Sequence, residues 1–401
     1  MSKSGAIALD IATYYAGQNQ VTHPNVISFA TPWHGYRYYM AYTPYPYANG
    51  FEENPCLAVS NDLIHWEKPK GLINPIACCE ELECDELKDS HLLYRQDLDQ
   101  LEMWYLGRIG SSMAEGGPLF CFRKVSSDGI HWGAPEIMYA FNGFNLASES
   151  VIWTETGYQF WGIRNAGEET GLYFMHSTDG KQWSELTRCS IPQAQETDMW
   201  HGTVVYQEAN YHFVWVGLSG KQRNIIYYSN STDGISFSAP QKIVENDTGW
   251  EFLYRPCLIK GNDIWYCYYG VVRCDGKWLI SLSKGSNVNT LDGITASEIG
   301  ATKQELINLV ASTKKLRLKL YKQYIYSLVI PRLLGLCPLF LILRLLFIES
   351  PLLAWSFACI CCVAITYCAI DKKSFLCRGV FMGTVIACIV AFFKEIIQHI
   401  V

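Results

Sequence analysis

The sequence predicts an all-β fold, a five-bladed β-propeller, followed by an α-helical membrane tail. Three observations predict it. A short turn motif recurs along the chain, a similar pair of strands precedes each copy, and the composition changes abruptly near the C-terminus.

The motif is Ser177-Thr178-Asp179-Gly180-Lys181-Gln182-Trp183, with close copies at Ser60–Trp66 (SNDLIHW), Ser126–Trp132 (SSDGIHW) and Ser231–Phe237 (STDGISF). A decayed fifth copy stands at Ser283-Lys284-Gly285. Asp-Gly is tight-turn chemistry, since Asp bonds the backbone ahead of it and Gly supplies positive φ. The Ser can brace the same turn, and the Trp or Phe can pack the hairpin onto its neighbours. Turn chemistry explains the motif, so it is read as a structural staple and not as a catalytic element.

Each copy follows a short apolar run and then an aromatic, alternating run. The first unit opens at His23-Pro24-Asn25 and continues with Tyr36–Met40. The second opens at Asp89-Ser90-His91 and continues with Leu101–Tyr105. The third, fourth and fifth open at Ser148-Glu149-Ser150, His201-Gly202-Thr203 and Arg255-Pro256-Cys257. About four short strands per unit, repeated five times, is the pattern of a propeller, in which radial repetition protects sheet edges. The fifth unit lacks an evident outer strand, and residues before His23 are expected to supply it.

Composition agrees. Charged residues make up only 17% of the 401 and aromatics 14%, with 25 Tyr and 13 Trp, which suits strand-rich architecture. A net charge of −6 gives no footprint for nucleic acid. The 16 Cys are scattered without a disulfide framework. Residues 1–298 are expected to form the propeller, 299–324 a basic helical linker, and 325–401 a membrane region with two or three transmembrane helices. Pro351–Ile370 is an uncharged run long enough to cross a bilayer. Basic residues before the first apolar segment and at Lys372–Arg378 place those loops in the cytoplasm. The N-terminal stretch has no secretory h-region. The expected localisation is therefore a multi-pass membrane protein with a cytoplasmic propeller.

Aligning the five openings brings His23, Asp89, Ser148, His201 and Arg255 to equivalent places around the axis. One step on stands Glu149, and two steps on stands His91. Different ionisable groups at equivalent positions are what a shared pocket needs. Trp33, Trp200 and Tyr254 are close by in sequence and suited to stacking on a sugar ring. His23, His91 and His201 with Asp89 could also hold a divalent ion on the axis. An ion-pair network without chemistry is the plain structural alternative.

The blade pattern over roughly residues 20–290 resembles the five-bladed glycosidases of glycoside hydrolase family 43 and its relatives in families 32, 62 and 68. The resemblance implies three acids: a base Asp opening the first blade, an orienting Asp opening the second, and an acid Glu in the third. Asp89 matches the second and Glu149 the third. His23, in His-Pro-Asn, stands where the family has Asp-Pro, and Glu52 and Glu53 are the nearest first-blade carboxylates. The resemblance implies a glycosidase, with Glu149 as acid, Asp89 orienting it and His23 as base. Trp33, His91, Trp200, His201, Tyr254 and Arg255 would bind the substrate. No cofactor is expected beyond the axial ion. The alternatives are a carbohydrate-binding propeller without hydrolysis at the cytoplasmic membrane face, and a protein-interaction scaffold.

Overall fold

The computed structural model describes residues 7–14, 19–108, 118–141, 145–219, 222–246, 249–295 and 297–299. They form five antiparallel meander sheets. The first is β1 (Val21–Trp33), β2 (Tyr36–Pro44) and β3 (Cys56–Ser60). The second is β4 (Glu86–Arg95), β5 (Gln100–Arg108), β6 (Leu119–Ser126) and β7 (Glu136–Phe141). The third is β8 (Ala147–Thr154), β9 (Gly157–Arg164), β10 (Gly171–Ser177) and β11 (Thr187–Arg188). The fourth is β12 (Gly202–Gln207), β13 (Asn210–Ser219), β14 (Gln222–Ser231) and β15 (Gln241–Glu245). The fifth is β16 (Phe252–Gly261), β17 (Ile264–Val272), β18 (Trp278–Gly285) and β19 (Asp292–Gly293). The five-bladed propeller read from the repeats is the observed fold.

The hydrophobic core is divided among the blade interfaces. Met40 and Val26 of the first blade pack with Ile259, Tyr268 and Ile280 of the fifth. Leu57 and Tyr39 meet Leu92 and Met103 of the second, and Trp104 and Leu106 meet Val151 and Phe160 of the third. Trp161 and Ile163 meet Phe213 and Trp215 of the fourth, which in turn joins the fifth through Val214, Leu258 and Tyr269. Five clusters between five neighbouring pairs close the ring. The fifth blade has an outer strand of its own, β19, where none was expected, and the N-terminal segment adds an isolated bridge to β18 at Ala8 and Ser281. Leu9 N–H donates to Ile280 O at 2.8 Å and Ser281 Oγ to Ile7 O at 2.8 Å. The blade needs this cover because its own outer strand, β19, is only two residues long.

The turn motif has one geometry in all four copies. The Ser hydroxyl accepts the N–H three residues on, at 3.0, 2.9, 2.8 and 2.9 Å for Ser60, Ser126, Ser177 and Ser231. The Asp carboxylate accepts the next two N–H groups, as at Asp233 with Ile235 and Ser236 (2.8 and 2.7 Å). The turn also clamps the preceding blade: Tyr268 OH donates to Leu63 O at 2.5 Å, and Trp161 Nε1–H to Gly234 O at 2.8 Å. Gly234 sits at φ 75, and a Cβ there would come within 2.8 Å of Trp161. Gly234→Ala is expected to lower stability by about 1–3 kcal/mol in denaturant unfolding. Leu63 occupies the equivalent place at φ 69, so strain alone is survivable and the clash with Trp161 decides the result.

The membrane placement is corrected. Among the described residues no helix is long and apolar enough to cross a membrane. The tail segments on which that expectation and the multi-pass, cytoplasmic-face localisation rested lie outside the described residues.

Candidate functional site

The innermost strands share an irregularity that builds the site. β1 breaks register between Thr22 and Asn25, β4 between Lys88 and Ser90, β8 between Ala147 and Ser150, and β16 between Tyr254 and Pro256. The bulges fall on His23, Asp89, Ser148 and Arg255, four of the five positions aligned from sequence. The fifth, His201, immediately precedes β12. A bulge re-aims a side chain, here toward the axis. His23, Asp89 and Ser148 adopt left-handed φ of 54, 48 and 59, a cost that non-glycine residues bear mainly where the surrounding structure enforces it.

Asp89 is the hub. Its Oδ1 accepts from Arg255 Nη1 at 2.7 Å, and its Oδ2 accepts the Ser148 N–H at 2.8 Å. His23 Nε2 lies 3.6 Å and His201 Nδ1 3.8 Å from the same Oδ1. Burial would raise the Asp89 carboxyl, but Arg255, then His23 and His201, outweigh it and hold the group well below the usual carboxylate range. His23 Nδ1 faces Glu53 Oε1 at 2.8 Å and Thr43 Oγ1 at 2.9 Å. His201 lies between Ser148 Oγ (2.6 Å from Nδ1) and Tyr254 OH (2.8 Å from Nε2). Tyr254 is 5.3 Å from the His23 ring and 5.0 Å from Trp278, which also meets Tyr45 at 4.7 Å. Burial, then Glu53, Glu86 and Asp89, push the Tyr45 hydroxyl up to about 12.

The structure thus brings His23, Asp89, His201, Tyr254 and Arg255 together, with Trp200 against the His201 ring at 5.7 Å. Three residues lie elsewhere. Trp33, at the far end of β1, donates from Nε1 to Asp99 at 2.7 Å. His91 is buried two positions deeper than Asp89, and its Nε2–H donates to Val151 O at 2.9 Å. Burial and then Arg255 lower it to about 3, so the ring is neutral. Glu149 is fully buried behind the hub. Arg255 Nη2 donates to its backbone carbonyl, and neither carboxyl oxygen has a hydrogen-bond partner among the described residues. Burial raises this carboxyl well above its ordinary value, against the opposing pull of Arg255.

Sequence reasoning underrated Glu53 and passed over Thr43 and Tyr45. All three lie well after β1 begins and return to His23 only through the fold. The sole sequence signal was the Glu-Glu-Asn-Pro run.

His23, Asp89 and His201 are a candidate donor set for a divalent cation, with Arg255 already on Asp89 Oδ1 at 2.7 Å. One atom each from His23, Asp89 and His201 lies within 4.8 Å of the others. His23 Nε2 is buried with no hydrogen-bond partner among the described residues, while Glu53 holds Nδ1. A carboxylate on the far nitrogen is the usual support of a ligating histidine. The Ser148 hydroxyl on His201 Nδ1 is a rotor that can turn away.

No protein-family model matches the chain. Its five-bladed architecture is shared with solved carbohydrate-active propellers. One is an N-acetylgalactosamine deacetylase from F. plautii in complex with blood group B trisaccharide, at TM-score 0.60 and 19% identity, covering 71% of this chain and 94% of that one. Others are a thermostable family-43 glycoside hydrolase (0.51, 12%, 73% and 95%) and a Bombyx mori family-32 β-fructofuranosidase (0.51, 14%, 68% and 62%). In sequence the chain is similar to an A type blood N-acetyl-α-D-galactosamine deacetylase of Flavonifractor plautii, 27% identical over 329 residues. That match covers 66% of this chain and 42% of the relative, so the chain spans less than half of the relative's length.

Proposed function

We propose that this chain is a carbohydrate-active hydrolase that removes the acetyl group from an N-acetylated amino sugar at the axial cluster. The observation that carries the reading is the convergence of His23, Asp89 and His201, with His23 Nε2 unsatisfied and Glu53 behind it. Similarity to the deacetylase supports it. Water adds to the acetyl carbon, the C–N bond breaks, the amine takes a proton, and acetate leaves. A divalent ion held by His23, Asp89 and His201 would supply Lewis acidity to the acetyl oxygen. The chain's own groups do the rest. Arg255 keeps Asp89 anionic, Glu53 and Thr43 fix the His23 ring, and Tyr254 with Trp200 offers the wall against which a sugar packs.

A second reading keeps glycosidic cleavage, with Glu149 as acid, Asp89 orienting it and His23 as base. Its support is that burial shifts the Glu149 carboxyl upward, toward the protonated form that a general acid uses. Incubating the full chain with N-acetylhexosaminides and assaying both acetate and free sugar separates the two. Acetate release is expected, falling at least about 100-fold in His201→Ala and on chelation. Free sugar without acetate, lost in Glu149→Gln, would replace the first reading by the second.

A further inference from the structure

The loop from β2 to β3 carries Glu53 to His23, yet on the way it exposes two large aromatic rings. Tyr47 is 56% and Phe51 72% accessible, against the general burial of aromatic side chains in this protein. Tyr47 and the adjoining Ala48 both stand at left-handed φ, 52 and 63. Such conformations in non-glycine residues persist where a fold enforces them, and they gather at functional sites.

The loop is held in place from several sides. Buried Gln20 accepts through one oxygen both the Tyr47 N–H at 3.0 Å and the Trp278 N–H at 3.1 Å. Tyr47 is thereby tied to the tryptophan that packs on Tyr45 and Tyr254. Asn49 Oδ1 accepts the Phe51 N–H at 3.3 Å, and Tyr14 OH donates to Glu52 O at 3.4 Å.

We propose that Tyr47 and Phe51 form a stacking subsite for a second sugar ring, so that the substrate is an extended glycan and not a free amino sugar. The inference rests on the carbohydrate reading above. The placement supports it. Tyr45 lies 6.3 Å from the His23 ring, and Glu53 touches that ring's nitrogen. Tyr47 and Phe51 are each two residues further out along the loop, a reach of at most about 7 Å. That reach puts each backbone position within about one sugar unit of Tyr45 or Glu53. Amphipathic tyrosine and flat phenylalanine give contact area at low conformational cost, and a loop fixed in advance loses little on binding.

The test uses the full chain carrying Tyr47→Ala or Phe51→Ala. Both residues are exposed, so the fold should survive. Turnover is compared on an N-acetylated monosaccharide glycoside and on a trisaccharide ending in the same sugar, alongside calorimetric titration of the trisaccharide into the inactive His201→Ala background. Each variant is expected to lose about tenfold in kcat/KM on the trisaccharide, through KM, while staying within about twofold on the monosaccharide. Equal losses on both substrates, or none, would remove the subsite. If no substrate is turned over, the titration decides. Weakened trisaccharide binding in the loop variants keeps the subsite and discards hydrolysis, and unchanged binding discards the subsite.

Discussion

Replacing Arg255 by Met should lower stability by about 3–5 kcal/mol at neutral pH and abolish activity. Arg255 and Asp89 are both buried, and their 2.7 Å contact is the cation that outweighs Asp89's burial. Without the guanidinium, the fold holds an anion where burial favours the neutral acid. The pH sign follows. In the native protein the Asp89 carboxyl is depressed, so its contribution is present above the unfolded carboxylate range and is lost as pH falls through the folded value. In Arg255→Met the carboxyl loses its principal stabilising charge, and that contribution shrinks or reverses. The deficit relative to the native chain should be largest near pH 7 and narrow toward pH 4. Adding Asp89→Asn should recover part of the loss, because a neutral side chain no longer needs the cation. Urea unfolding of the three variants at both pH values measures this. A deficit independent of pH and untouched by Asp89→Asn would mean that Arg255 acts through packing alone.

The blades were legible because their staples are local. Ser and Asp must stand at fixed offsets for their oxygens to reach the N–H groups of one turn, so the geometry is written in a seven-residue window. The axial positions were legible for a related reason. Four of them coincide with bulges at the same point of each innermost strand, and repeat alignment finds that point without knowing that a bulge is there. What failed to read was distance. Trp33 is ten residues from His23, but β1 runs extended for 13 residues and carries it away from the axis. Glu53 is thirty residues from His23 and returns to 2.8 Å through a loop whose path no periodicity announces. Glu149 adjoins Ser148 in sequence, yet it is buried behind the hub, while Ser148 joins the cluster through its Oγ contact with His201. The apolar tail shows the opposite weakness, since apolar length argued for a membrane placement that no described helix supports.

Glu149→Gln is the change that should stabilise the protein. The buried carboxyl has no hydrogen-bond partner among the described residues, and burial raises its pKa well above the ordinary value. A raised carboxylate contributes its full stability below the unfolded pKa, about 4.3, and loses it as pH rises toward the folded value, because the folded chain then holds a proton that the unfolded chain releases. Glutamine mimics the protonated acid in shape and carries no such penalty. The variant should therefore match the native chain near pH 4 and exceed it near pH 8, by about 2–4 °C in Tm for each kcal/mol of penalty removed. The same protein decides the chemistry. If Glu149 is only a buried acid behind the hub, the stabilised variant keeps its turnover of N-acetylated substrates. If it is the proton donor to a glycosidic oxygen, stability rises while turnover vanishes, and the loss appears in kcat with substrate binding preserved. A variant whose stability falls below the native chain by more at pH 8 than at pH 4 would show instead that the carboxylate is ionised and paired, and would refute the buried-acid assignment on which both outcomes depend.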